Sequence, residues 1–394
     1  MADSCCSDKK ESTPACCSGE NRLAPVRCPD ESTAAGISLK IPAAVPPEWS
    51  RGTVTTPAGP VFRAATEWSR ADQWGRIRSR IGAYRMKYAV DPGLYGVGNP
   101  NDTSDVFVSA NYKLSFDMLR RALAGANAWI LVLDTQSINV WCAAGKGTFS
   151  TEELVRRIAG VQLDRVVSHR RVIVPQLGAP GIHAHKVKEK SGFRVSFGPV
   201  QARDIGTYVK AGYKATPSMR TVPFSLVDRL VLTPMELNPA LKKFPLFAAI
   251  VLAVFGLQPE GLLFKTAWFG GYPFLLLGLA ALLAGAFATP LLLPFIPGRS
   301  FGIKGWLVGL AGVALVLVSG GPDLLKSKTL LAAACLLFPM ISSFLALNFT
   351  GSTTFTGKSG VEKELKFAIP VYMTALAVSA ILLVVFKFSE WGIL

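Results

Sequence analysis

Asn139-Val140-Trp141-Cys142-Ala143-Ala144-Gly145-Lys146-Gly147 is the stretch whose residue types and spacing could do chemistry. A cysteine binds metal as its thiolate, and a position at a helix N-terminus favours that form. Asn139 is a residue type that caps helices, which puts Cys142 in a first turn. The apolar run 128–133 just upstream reads as a buried strand. Downstream, Ser150-Thr151-Glu152-Glu153 has the Ser/Glu spacing of a capping box opening the next helix. The cysteine thus sits in a small helical element at the carboxyl end of a strand, where open α/β sheets bind ligands. Gly145 and Gly147, with Ala143 and Ala144, remove bulk, so a large flat group could lie against the backbone. The plainer alternative is a small buried cysteine in a tight connection, because free Cys often behaves as a small hydrophobe.

The elements that must position this stretch alternate along the chain. Strands are predicted over 105–109, 128–133, 171–174 and 193–197, with helices over 116–123, 152–159, 182–190 and 202–211. That alternation predicts a parallel sheet covered on both faces. The loops starting at Ala110, Thr135, Pro175 and Gly198 should then gather on one edge. Asn111 follows the first strand and either caps the next helix or offers its amide to a ligand. Gln176, Leu177, Gly178 and Ala179 provide a small, partly polar floor. Gly198 allows close backbone approach or marks a turn. Residues 60–100 form a lead-in with a basic helix around Arg76, Arg78, Arg80 and Arg85, a turn at Asp91-Pro92-Gly93, and a loop over 95–100. His169, His183 and His185 are the only histidines; the last two are two apart, so they do not share a helix face.

The 394 residues are half hydrophobic, unevenly so. Residues 1–243 are mixed and basic. Five apolar segments follow, roughly 244–257, 272–295, 303–319, 330–347 and 367–386, and a helical span needs about 20 residues. The first is the shortest and stops at Gln258-Pro259-Glu260. The division is a tail over 1–55, an α/β domain over 56–215, a linker over 216–243 and an all-α transmembrane bundle of about five helices over 244–394. Within the linker, 224–232 is an amphipathic stretch suited to lie along a bilayer surface. Lys242, Lys243, Arg299, Lys304, Lys358, Lys363 and Lys366 fall on the side shared with the α/β domain, against Lys265, Lys326 and Lys328 on the other. That bias predicts a multi-pass protein of the inner membrane with the α/β domain in the cytoplasm. The net charge of +16 fits the bilayer; without a nucleic-acid-binding signature, no nucleic-acid partner is expected. The start of the chain is polar and does not read as a secretory signal. The seven cysteines are odd in number and include adjacent pairs, a poor disulfide framework, so a reducing compartment is expected. Without a C-x-x-C-x-x-C run, no ferredoxin-type cluster is expected. Cys5, Cys6, Cys16 and Cys17 in the tail could transiently hold a soft metal ion, or be incidental.

At all nine positions Asn139–Gly147 resembles the cap-helix signature of the corrinoid protein of microbial mercury methylation. The resemblance extends to Pro92-Gly93-Leu94-Tyr95, Ser109–Asp117, Ser168-His169-Arg170-Arg171, Val174–Ala179 and Phe197-Gly198-Pro199, and covers roughly residues 60–235. The chain is more distantly similar to the corrinoid domain of the corrinoid iron–sulfur protein. The resemblance implies a Rossmann-like corrinoid-binding domain followed by a membrane domain, with cobalamin or a related corrinoid as cofactor. It makes Cys142 the lower axial ligand of cobalt and the catalytic residue. It places Asn111, Asn139, Val140, Trp141, Ala143, Ala144, Gly145, Lys146, Gly147, Gln176, Leu177, Gly178, Ala179 and Gly198 around the cofactor. Asn111 would bond a corrin amide, and Lys146 a propionamide or the nucleotide-tail phosphate, unless it is simply solvated. No Asp-x-His-x-x-Gly motif is present, which leaves the axial role open to a thiolate.

The activity implied is transfer of a methyl group from methyl-cobalt(III) to Hg(II), giving methylmercury. Corrinoid methyl groups usually go to nucleophiles, whereas Hg(II) is an electrophile and needs the methyl group to leave as a carbanion or radical. A thiolate opposite the methyl group stabilises the cobalt(III) left behind, which is ligand tuning of the cofactor. The implied partners are a methyltetrahydrofolate-linked methyltransferase and a ferredoxin-like protein with 4Fe-4S clusters, which would supply electrons and hand over Hg(II). The resemblance does not reach the tail, whose cysteine pairs either capture Hg(II) or are incidental. Two alternatives stand beside this: a membrane-anchored corrinoid methyl carrier of one-carbon metabolism, against which the thiolate and the lack of an extra barrel domain argue, and a thiol-based metal sensor with no corrinoid.

Overall fold

A computed structural model describes residues 46–320, 324–325, 327–353, 355–356 and 358–394. Cys5, Cys6, Cys16 and Cys17, and most of the stretch read as a tail, lie outside the described residues. The α/β part runs β1 (Ser50–Thr56), β2 (Gly59–Ala64), α1 (Arg70–Arg78), β3 (Gly93–Val97), β4 (Val106–Ala110), α2 (Lys113–Ala122), β5 (Ala128–Leu133), α3 (Val140–Lys146), α4 (Thr151–Gly160), α5 (Leu163–Val166), β6 (Arg171–Val174), α6 (Ala184–Ser191), β7 (Arg194–Phe197) and α7 (Ile205–Lys210). A 3-10 segment, Gln176–Gly181, connects β6 to α6.

The sheet order is β1-β2-β3-β5-β4-β6-β7. β5, β4, β6 and β7 are mutually parallel and form within one residue of the positions expected for them. Their residues alternate between two cores. Val108, Leu131, Leu133 and Val174 pack with Ala143, Phe149, Leu154, Ile158 and Val187 of the α3, α4 and α6 side. Phe107, Ile130, Val132 and Ile173 pack with Phe116, Leu119, Ile205 and Tyr208 of the α2 and α7 side. Every residue of β5 is buried, and each large apolar side chain so placed contributes ~1.5–3 kcal/mol.

The sheet is mixed, not wholly parallel. β3 runs antiparallel to β5, with Gly93 opposite Val132 and Val97 opposite Ala128, and β1 pairs antiparallel with β2. Residues 91–100 read as turn and loop because Pro92, Gly93 and Gly96 break the apolar alternation. Gly96 is nevertheless required within the strand: a Cβ there would stand 3.2 Å from Pro100 Cγ and Val54 Cγ2. The hairpin begins at Ser50, inside the stretch read as tail. The 202–211 helix divides into a 3-10 turn, Ala202–Asp204, and α7.

The helical part comprises α8 (Leu226–Leu232), α9 (Pro234–Gly256), a small ribbon of β8 (Leu257–Gln258) and β9 (Gly261–Leu262), α10 (Phe264–Leu283), α11 (Thr289–Leu292), α12 (Phe301–Gly320), α13 (Lys328–Asn348) and α14 (Lys358–Glu390). Among the described residues, five helices are long and apolar enough to cross a membrane: Leu226–Gly256, Phe264–Leu292, Phe301–Gly320, Lys328–Gly351 and Ser359–Glu390. The 224–232 stretch is not a separate surface element. Its helix continues into α9 through Thr233, which is helical at the junction, and Pro234 takes the first position of α9, where a missing N–H costs nothing. α12 and α13 pack through small residues, with Ser342 Oγ donating to Gly305 O and Ser343 Oγ to Gly302 O, each at 2.7 Å.

Candidate functional site at the carboxyl edge of the sheet

Asn139 caps α3: its Oδ1 accepts from the Cys142 N–H at 3.0 Å. The cap sets which residues face inward. Ala143 and Ala144 are buried against the core, so these alanines serve packing and do not open a surface for a ligand. Cys142, Gly145 and Lys146 share the outward face, three and four residues apart. Cys142 is a free, half-buried thiol, and Trp141 beside it is 38% exposed. A Cβ on Gly145 would meet nothing within 4 Å, so the surface one turn beyond the thiol is open. Gly147 ends the helix at φ +80°, a left-handed C-cap. Lys146 is exposed.

The loop that feeds α3 is held by Asn111. Its Oδ1 accepts from the N–H of Thr135 at 3.1 Å and of Ser137 at 2.9 Å. The Thr135 hydroxyl lies 2.8 Å from the same oxygen and 2.7 Å from Ile138 O. Asn111 is therefore neither a helix cap nor a ligand contact through its oxygen; α2 starts at Tyr112 without a side-chain cap, and the amide positions the loop. That loop is strained, with φ of 56° at Gln136 and 60° at Ser137, each costing about 1–3 kcal/mol in a non-glycine residue. Glu153 fastens it from the other side, accepting from Asp134 N at 2.9 Å. The expected capping box is consequently only half made: Ser150 Oγ accepts from Glu153 N at 3.2 Å, but the Glu153 carboxylate is turned to Asp134, Arg156 and Arg157. Thr135, Ser137 and Glu153 are positioning residues that the sequence reading missed; the one local signal was the polar Asp134-Thr135 step directly after a strand.

The 3-10 segment Gln176–Gly181 packs beside α3. Gly178 and Gly181 are required there because a Cβ on either would overlap Phe149. Leu177 and Ala179 are half-buried. Gln176 Oε1 is buried and has no hydrogen-bond partner, an acceptor that a bound ligand could satisfy. Gly198 is spoken for by packing, since its Cβ would lie 3.0 Å from Ile173 Cγ2.

Not every segment singled out in the sequence reaches this edge. Pro92 and Gly93 do, because β3 is antiparallel and starts opposite the end of β5. Ser168-His169-Arg170-Arg171 does not: it precedes β6 and lies at the amino edge. There His169 Nε2 sits 2.9 Å from Ser104 O, and Arg171 pairs with Asp105 at 2.6 Å. His183 and His185 flank the start of α6, both exposed. Lys113 and Asp117 tie α1 to α2. Lys113 Nζ pairs with Asp72 at 2.7 Å and Asp117 at 2.8 Å, and the fully buried Arg120 pairs with the same two carboxylates at 2.7 and 2.8 Å. Burial pushes the Asp72 pKa up, but hydrogen bonds from Lys113 and Arg120 outweigh it and hold the carboxyl well below its usual range. Among the described residues, no three His, Cys, Asp or Glu side chains come together so as to hold a metal ion.

Residues 82–209 match the family described as CO dehydrogenase/acetyl-CoA synthase delta subunit. The corrinoid/iron–sulfur protein large subunit of Moorella thermoacetica is 27% identical over 124 residues, 31% of this chain and 27% of that protein. This region is a relative of corrinoid proteins. An acetyl-CoA decarbonylase/synthase complex gamma 2 subunit of Methanosarcina thermophila is 31% identical over 122 residues, 30% of this chain and 26% of that protein. The gamma subunit of Archaeoglobus fulgidus is 25% identical over 131 residues, 33% and 27% of the respective chains. The chain thus spans about a quarter of the length of these relatives. The matched residues include the α3, Asn111 and Gln176 positions and none of the five long apolar helices.

Proposed function

We propose that the α/β domain holds a corrinoid over the outward face of α3, with the Cys142 thiolate as the lower ligand of cobalt, and that the protein methylates Hg(II). The observation that carries this reading is the open face of α3, where a half-buried thiol has no bulk one turn beyond it. The nine-residue likeness to the mercury-methylation signature supports the choice of substrate, and the corrinoid relatives support the cofactor. The residues suit a flat ligand fringed with amides: Gly145 leaves room, and Gln176 Oε1 lacks a donor. When bound, the corrinoid would supply the chemistry of methyl transfer from a folate-type donor to Hg(II).

The chain's own residues act by placement. Cys142 would offer the cobalt a soft, electron-rich donor. Asn139 fixes the turn that carries it, and Asn111 and Glu153 fix the loop that feeds that turn. Gln176 Oε1 accepts from an amide N–H of the ligand. Two electrons per turnover come from a separate iron–sulfur protein. The five apolar helices span the inner membrane and keep the α/β domain in the cytoplasm.

Methylmercury formation by cells or reconstituted protein tests this. Cys142→Ala and Cys142→Thr are both expected to lose it, by more than the about 10- to 100-fold typical of a supporting residue; full activity in either overturns the axial-ligand assignment. A second reading, a membrane-anchored corrinoid carrier that methylates a different acceptor, is favoured by the names of the relatives. It would show methyl loss to that acceptor at an unchanged rate when Hg(II) is withheld and no methylmercury when it is supplied.

A further inference from the structure

The end of the helical part nearest α8 contains two buried cations, neither of which pairs with Asp228 or Glu364. Arg229 in α8 is 4% exposed, and its Nε and Nη1 have no hydrogen-bond partner. Lys304, one turn into α12, is 8% exposed, and its Nζ donates to Leu293 O at 2.6 Å. Leu232, one turn after Arg229, and Phe301, one turn before Lys304, pack with Leu293 in one cluster. α8 also packs on α11. Both cations therefore abut the same corner, formed by α8, the end of α11 and the start of α12.

Two acids at this end are engaged elsewhere. Asp228 closes the cap of α8 with Ser225. Glu364 accepts from Gly302 N at 2.6 Å and from Ser300. Glu236 is not free. Arg120 shows how this chain satisfies a buried arginine internally: Asp72, Asp117 and the carbonyls of Ala65 and Glu67 surround it. Arg229 has no such enclosure. A buried guanidinium without an anion is strongly disfavoured, and its forked N–H groups match phosphate oxygens.

We propose that Arg229 and Lys304 hold the phosphate of an anionic lipid headgroup at the corner of α8, α11 and α12. This rests on the reading that the five helices span a bilayer, which would put the ends of α9 and α12 at headgroup depth. The lipid would then act as a structural ligand that joins the first helix after the α/β domain to the rest of the bundle.

The test is native mass spectrometry of the full chain purified in detergent and mixed with equal amounts of phosphatidylglycerol and phosphatidylcholine. Wild type is expected to retain one phosphatidylglycerol with about tenfold preference, the scale of one charge-assisted hydrogen bond. Arg229→Gln should bring the two lipids to parity, Arg229→Lys should recover part of the preference, and Lys210→Gln, an exposed residue at the end of α7, should leave it unchanged. If Arg229→Gln does not purify as a folded species, Lys304→Met carries the same expectation. Parity in wild type, or preference unaffected by both Arg229→Gln and Lys304→Met, overturns the proposal. Displacement of the lipid by inorganic phosphate at equal concentration would assign the corner to a free anion and overturn the lipid source. Extraction of the chain from membranes by alkaline carbonate would instead refute the membrane reading itself.

Discussion

At the amino edge of the sheet, Asp105 accepts from Arg171 at 2.6 Å and from Tyr213 at 2.7 Å, and the Arg171 guanidinium lies 3.7 Å from the centre of the Tyr213 ring. At the carboxyl edge, two consecutive non-glycine residues are held at positive φ, Gln176 Oε1 is buried without a donor, and a free thiol is half-exposed. The amino edge has its own strained residue and unmet donor, Tyr213 at φ +65° and Arg171 Nε, but its charged groups are closed on each other, whereas the carboxyl edge gathers two consecutive strained residues, an unmet acceptor and a free thiol around one loop and helix. Strain and orphaned polar atoms persist where surrounding structure enforces them, and in folded proteins they concentrate at ligand sites. The difference supports the proposal that the carboxyl edge is the binding edge.

Variants on the two edges should therefore separate stability from cofactor retention. The largest effect is expected for Asn111→Ala, which removes the oxygen that holds Thr135 and Ser137. It should cost about 3 kcal/mol in denaturant unfolding, the scale of leaving buried donors unmet, and should also release the corrinoid as the Cys142 turn loosens. Stability lost with corrinoid retention unchanged would show that the loop does not serve the site. Gln176→Leu should do the reverse: stability equal to or above wild type, because an unsatisfied acceptor is gone, with corrinoid retention about tenfold weaker for the loss of one hydrogen bond. Unchanged retention would remove Gln176 from the site. Tyr213→Phe at the amino edge should cost about 1 kcal/mol and leave the corrinoid spectrum untouched; a spectral change would break the division between edges.

A further effect, full at neutral pH and fading in acid, comes from the Asp72 network that ties α1 to α2. Its folded pKa is depressed below the ordinary value of 3.8, so its stabilisation is present above 3.8 and declines as pH falls below it. Unfolding titrations of wild type and Asp72→Asn should converge below that pH; parallel curves throughout would show that the pair does not couple folding to protonation.

The parts of this fold that were legible in the sequence are those set by local pattern. β4, β5, β6 and β7 are short apolar runs bounded by helices, and α3 announces itself through Asn139. β3 was hidden because Pro92, Gly93 and Gly96 imitate a loop, while its pairing with β5 is a non-local event that propensity does not record. The local setting of the thiol was legible, since Asn139 caps the turn that carries Cys142. The work of Asn111 depends on Thr135 and Ser137, 24 and 26 residues away, and no local rule connects them. The Glu153 carboxylate obeyed long-range partners over its own helix cap. Likewise, Arg229 reads in Leu-Val-Asp-Arg-Leu-Val-Leu as an exposed charge on an amphipathic helix, and only the packing of α8 on the other helices buries it.

The most direct test of the central claim is the visible absorption spectrum of anaerobically purified, corrinoid-reconstituted protein, wild type beside Cys142→Ala. A corrinoid band carrying a cobalt–thiolate shift in wild type, with the shift absent in the variant, is the predicted result. A corrinoid band identical in the two proteins would remove Cys142 from the cobalt, and no corrinoid in wild type would contradict the assignment of the carboxyl edge altogether.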